Sequence, residues 1–105
     1  MTVLLKTAFE DWQIVDLKLT KGILNTVLQG KFQCYELLPG VIVVHNPEGA
    51  ARSMPLSCCS KIRDVFFFGP VLVTGIDPKS GKLTNTPKWV LKKLEDWWER
   101  NDAAE

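Results

Sequence analysis

The sequence predicts an α+β domain: a bent, mostly antiparallel sheet of about five or six strands, covered by two helices over residues 20–29 and 86–100. Three observations predict it. The stretch from Asp64 to Asp77 is apolar on both alternation faces, with Val65 and Phe67 on one and Phe66 and Phe68 on the other. A strand of that kind needs cover on both sides, which places it in the middle of a sheet. Proline–glycine turn chemistry recurs at Leu38-Pro39-Gly40, Asn46-Pro47-Glu48-Gly49 and Asp77-Pro78-Lys79-Ser80-Gly81, spaced for short antiparallel connections. Two segments carry helical rather than strand periodicity.

Taken in order, residues 2–9 form a first strand and Glu10-Asp11 a polar turn. Trp12 to Leu19 then alternates, with Trp12 and Ile14 on one side and Val15, Leu17 and Leu19 on the other, as a half-buried hairpin partner does. Thr20 is placed to cap a helix whose apolar positions Ile23, Leu24, Val27 and Leu28 share a narrow face. Gly30 stands where a glycine ends such a helix. Strands follow over Phe32–Leu37 and Val41–His45, and Pro55 to Ser60 reads as a loop.

Asp64 to Asp77 is expected as one long strand bent at Gly69-Pro70, because Pro70 cannot donate to a ladder. Thr86 and Pro87 then have the chemistry of an N-cap and first helical position. Val90, Leu91, Leu94, Trp97 and Trp98 form one stripe, with Lys92, Lys93, Glu95, Asp96, Glu99 and Arg100 facing water.

At 105 residues the chain is one domain, and a chain of this size buries roughly 65% of its unfolded surface without needing disulfides or metal. Thirteen basic against twelve acidic residues leave a net charge of +1, so no global field draws in nucleic acid or anionic lipid. The longest apolar runs, Val41–Val44 and Val65–Phe68, are far short of the ~20 residues that span a bilayer. The N-terminus lacks the pattern of a signal peptide. Three cysteines, two of them adjacent, make no disulfide framework. A cytoplasmic protein is therefore expected.

Few residues offer chemistry. His45, the single histidine, lies at a strand end and with Cys58 or Cys59 has the makings of a thiol–imidazole pair. No third, orienting residue is identifiable, and a structural or ligand-contact histidine is the preferred reading. Cys34, Cys58, Cys59 and His45 are soft ligands, but adjacent cysteines are not a chelating spacing, so no metal is assigned and the thiols are read as small buried hydrophobes.

Arg52, Lys61 and Arg63 bracket the 55–60 loop and with Ser57 and Ser60 suggest a small anion or nucleotide site. Lys79-Ser80-Gly81-Lys82 lacks the glycine framework of a phosphate loop and is read as a solvated turn. Among four tryptophans, Trp89 falls off the helical stripe and is a candidate contact anchor, alongside packing against a neighbouring loop.

The middle of the chain carries a resemblance. It runs through the strand Gln33-Cys34-Tyr35-Glu36, then Ile42-Val43-Val44-His45-Asn46-Pro47-Glu48-Gly49, then Met54-Pro55-Leu56, then Phe68-Gly69-Pro70-Val71-Leu72-Val73-Thr74-Gly75. Over about residues 20–84 this resembles a small uncharacterised domain family of bacteria, their phages and mobile elements. Its marks are an Asn-x-x-Gly turn, a Leu-Pro pair and a Gly-x-hydrophobic strand. Two departures stand out: the pair is reversed here as Pro55-Leu56, and Ser57 stands where the family often has asparagine.

The resemblance implies accessory genes of phages and mobile elements. The expected function is non-enzymatic: binding and modulating a host component, either a protein or a small nucleotide, with no cofactor and no catalytic residue assigned. His45, Arg52, Lys61, Arg63 and Trp89 are the binding candidates. A small enzyme using His45 with Cys58 or Cys59 is the alternative, and a structural virion component a third. A homodimer is expected as well, because Val41–Val44 and the 65–73 stretch carry no charged residue to discourage edge pairing.

Overall fold

A computed structural model of the chain describes residues 1–63, 65–93, 97 and 98. Its strands are β1 (Thr2–Lys6), β2 (Gln13–Asp16), β3 (Gln33–Leu38), β4 (Val41–His45), β5 (Leu56–Cys59), β6 (Phe66–Phe68), β7 (Val71–Ile76) and β8 (Leu83–Thr84). Two short helices, α1 (Lys21–Val27) and α2 (Lys88–Leu91), complete the described elements. The main sheet has the order β2-β1-β7-β4-β3, with β8 pairing the end of β7, and every pairing is antiparallel. β5 and β6 form a separate two-stranded sheet.

This corrects the expected architecture. The sheet is not covered by two helices: α1 has seven residues and α2 only four. Much of the second cover is the β5–β6 hairpin, whose β5 half falls in a segment expected as loop. Pro55 and the small residues Ser57, Cys58 and Cys59 hide that strand from a propensity reading, since none is a β-branched or aromatic strand former. The long bent strand is likewise two strands in two sheets. Gly69, with φ +82°, turns the chain from β6 into β7, a backbone state that only glycine adopts without strain.

β7 is the central strand, and its alternation sets the two cores. Val71 and Val73 join Leu4, Leu37, Val41, Val43, Cys58, Phe67, Val90, Trp97 and Trp98 on one side. Leu72 joins Val3, Leu24, Leu28, Ile42 and Val44 on the other, beneath α1. α1 begins as expected: the Thr20 hydroxyl accepts from the Ile23 N–H at 3.3 Å. It ends at Val27 with Leu28 as its C-cap, and Gln29, one residue before the glycine, takes the left-handed turn at φ 61°. Asn46 holds that end to β4, its amide donating to Leu28 O at 3.0 Å while its oxygen accepts from Glu48 N at 2.8 Å.

Thr86 does not cap α2. Its hydroxyl donates to Val73 O at 2.6 Å and accepts from Leu4 N at 3.2 Å, stitching β1 to β7. Pro87 is the residue at the helix boundary and makes no side-chain cap bond. The approach is close enough that a Cβ on Gly75 would sit 2.5 Å from Thr84 Oγ1 and 2.6 Å from Asn85 O.

The stripe expected to run to Trp98 is seen at Val90, Trp97 and Trp98, all buried. Leu94, Glu95, Asp96, Glu99 and Arg100 lie outside the described residues. β4 and β7 are paired on both sides, so Val41–Val44 and Val71–Val73 are interior, while Phe66–Phe68 is paired on one side, in the two-stranded sheet; the outer strands of the main sheet are β2 and β3.

Candidate functional site

β1, β7 and β4 bring polar groups into a row on the hairpin-covered face. Lys6 pairs with Val71, and Val71 pairs with His45, so Lys6 and His45 flank one valine on the same side of the sheet. At about 4.8 Å per strand their Cα atoms are roughly 10 Å apart. Phe67 of β6 lies over this row, edge-on to the His45 ring at 5.0 Å and to Tyr35 at 5.8 Å. It meets Trp98 at 6.1 Å, and Trp98 stacks on Trp12 at 5.2 Å. Cys58 pairs with Phe67 in the hairpin.

The electrostatics of this face oppose thiolate chemistry. Burial pushes the Cys58 thiol up to about 12; the nearby Lys6 charge pulls it down, though less, and Cys59 adds to the rise. Cys58 therefore stays protonated at neutral pH, the opposite of an activated nucleophile. Burial also lowers the pKa of His45, against a backbone hydrogen bond at Asn46 that raises it. His45 serves as a ring in an aromatic cluster. Cys34, expected to be buried with the others, is exposed on the outer strand β3. Among the described residues no group of three or more His, Cys, Asp or Glu side chains is placed to hold a metal.

Of the basic residues proposed to share an anion site, Arg52 is set apart from Arg63. Arg52 donates to Gln29 O at 2.5 Å, at the end of α1. Arg63 donates through Nε to Leu37 O at 3.1 Å, far along β3. Gln33 to Leu37 alone spans roughly 13 Å of strand. Lys61 is exposed, and its backbone N–H donates to Trp97 O at 2.6 Å. The serines are engaged too: the Ser57 hydroxyl donates to Gly69 O, and Ser60 Oγ accepts from Ile62 N and Arg63 N. Trp89 is 49% exposed and packs edge-on against Trp97 at 5.4 Å, so half of its ring is open to a partner and half is packing.

Sequence reading missed two features. Lys6 is 9% exposed, and its alternation with Leu4 in the first strand is a signal that it faces inward. The second is an open depression of about 650 Å³ between α1 and the start of β3, lined by Lys21, Asn25, Lys31, Phe32, Gln33 and Pro47. Lys21 and Asn25 are four residues apart on α1 and share a helix face. No carboxylate lines the depression. Its parts come from three separate segments, so no local motif marked it.

One family model matches, Domain of unknown function (DUF3846), over residues 1–99. The chain belongs to this family. The match spans both the polar row and the lysine-lined depression, so both are features of this chain's DUF3846 domain. No curated protein and no solved structure matches. No helix among the described residues is long and apolar enough to cross a membrane.

Proposed function

We propose that this DUF3846 domain is a non-enzymatic binding module of the phage or mobile-element accessory kind, which takes an acidic segment of a host protein along the Lys21–Lys31 depression. The observation that carries the reading is the lining: two ammonium groups flank Phe32 and Pro47 with no carboxylate among them. Such a surface neutralises acidic side chains while Phe32 and Pro47 receive apolar ones between them. Asn25 and Gln33 add amide donors and acceptors that read a peptide backbone. The protonated state of Cys58 supports the non-enzymatic part, since a thiol that stays neutral is a poor nucleophile. The phage context rests on the resemblance over residues 20–84.

A titration of the isotope-labelled domain with an acidic, aromatic-containing peptide tests this. Amide shifts should cluster at residues 21–33 and Pro47's neighbours, weaken as salt is raised, and vanish in the Lys21→Glu/Lys31→Glu double variant. Shifts that persist in that variant would remove the depression as the binding surface.

A further inference from the structure

Opposite edges of the main sheet carry complementary chemistry at the same end. Leu5 pairs with Gln13 and its neighbour Lys6 with Val71, while Val71 pairs with His45 and His45 with Gln33. Gln13 on β2 and Gln33 on β3 therefore lie at one end of the sheet, four strand spacings or roughly 19 Å apart. The 7–12 turn runs out past Gln13, and the Lys21–Lys31 depression opens beside Gln33.

The turn displays Phe9, at 88% the most exposed large apolar side chain among the described residues, with Glu10 and Asp11 exposed beside it. No lysine or arginine falls between Thr7 and Asp16. An acidic, aromatic segment of this kind suits a depression lined by two ammonium groups, Phe32 and Pro47. The turn is held away from its own chain's depression, because Trp12 stacks on Trp98 on the hairpin face while the depression lies beside α1. A second copy meets no such restraint. β2 and β3 run in the same direction and each is paired on one side only, so an unrotated copy set beside the first brings its turn to this depression.

We propose that the 9–12 turn of a second copy occupies the depression, joining copies head to tail, so that a host segment competes with the protein's own turn for the site. This rests on the reading of the depression as a site for acidic segments. The contact joins two different surfaces and is heterologous, so each joined copy still offers a turn and a depression to the next.

Sedimentation velocity on the full chain tests it. The weight-average sedimentation coefficient should rise with protein concentration and fall back as salt is raised. Glu10→Lys/Asp11→Lys and Lys21→Glu/Lys31→Glu alter exposed side chains and should fold, yet each alone should associate about tenfold or more weakly than wild type. Mixed in equal amounts they should associate again, because the native turn of one meets the native depression of the other. Wild type that stays monomeric at high-micromolar concentration, association indifferent to either reversal, or a mixture that stays monomeric would each overturn the self-contact. The peptide titration separates the two readings. Peptide shifts at residues 21–33 in a domain that never self-associates strike the self-contact alone, whereas charge-dependent self-association without peptide shifts strikes the host segment alone.

Discussion

Beneath α1 the sheet is closed by Val3, Leu24, Leu28, Ile42, Val44 and Leu72, with Thr74 the buried polar side chain of β7 on that side. Beneath the β5–β6 hairpin the same strands present Lys6 and His45, with Cys58 and Phe67 of the hairpin and Trp12 and Trp98 packed over that face. Both faces arise from one alternation, so the contrast lies in what each cover demands. A helix offers aliphatic side chains at fixed spacing, and on that face the buried Thr74 Oγ1 is left without a hydrogen-bond partner among the described residues. A two-stranded hairpin is marginal by itself and must be held by its side chains, and here large rings hold it. The rings meet edge-on or tilted rather than face to face, and Lys6 and His45 lie on the sheet beneath them.

The sharpest way to break the comparison is to remove one anchor from each face. Phe67→Ala deletes the ring that meets Tyr35, His45 and Trp98, and should cost about 3–5 kcal/mol in denaturant unfolding. Leu28→Ala on the α1 face should cost about 2–5 kcal/mol. The faces should differ in kind as well as size. Phe67→Ala should also loosen the hairpin, seen as faster amide exchange at Cys58 and Cys59, while Leu28→Ala should leave hairpin exchange tracking global stability. Equal exchange behaviour in both variants would show that the hairpin is no separate unit.

A smaller effect probes the helical cover alone. Thr20→Ala removes the hydroxyl that accepts from Ile23 N and should cost about 1 kcal/mol, with Thr20→Ser close to neutral. Because α1 lies wholly on one face, the loss should appear in thermal melts without any change in tryptophan fluorescence of the folded protein. A shifted folded-state spectrum would mean that the two faces are coupled through β7.

The α1 face was the legible one. Thr20, Leu24 and Leu28 announce it through a cap and a 3.6-residue spacing, and turn residues such as Gly40 place the strands β3 and β4 closely. The hairpin face was not. Ser57, Cys58 and Cys59 have no strand signature, and the pairing of Cys58 and Cys59 with Phe67 and Phe66 is decided by burial over a sheet that local sequence does not describe. Thr86 shows the same limit. Its cap chemistry is real, yet tertiary packing directs the hydroxyl to Leu4 and Val73 instead.

The candidate site suffered most. Arg52 and Arg63 are near in sequence and parted by the fold, whereas Lys6 and His45 are distant in sequence and brought to either side of Val71 in the sheet. Lys6 was legible only as a strand position facing inward.

The smallest expected effect tests whether the hairpin face is where the molecule senses pH. Burial lowers the pKa of His45 below its ordinary value of about 6.5. A histidine depressed in the folded state binds its proton more readily once unfolded, so acid favours unfolding. Its contribution is therefore fully present above about pH 6.5 and declines as the pH falls from there to the folded-state pKa, below which this group has no further influence. Half-burial of the ring keeps the effect modest, and the backbone hydrogen bond at Asn46 reduces it further. His45→Phe keeps the contact with Phe67 and removes the proton-binding group, so its stability should flatten across that window while wild type declines. Leu28→Ala, on the other face, should lower the whole curve and leave its slope unchanged. Parallel slopes for wild type and His45→Phe in urea unfolding between pH 7 and 5 would move the acid sensitivity away from this face, to the carboxylates of the surface.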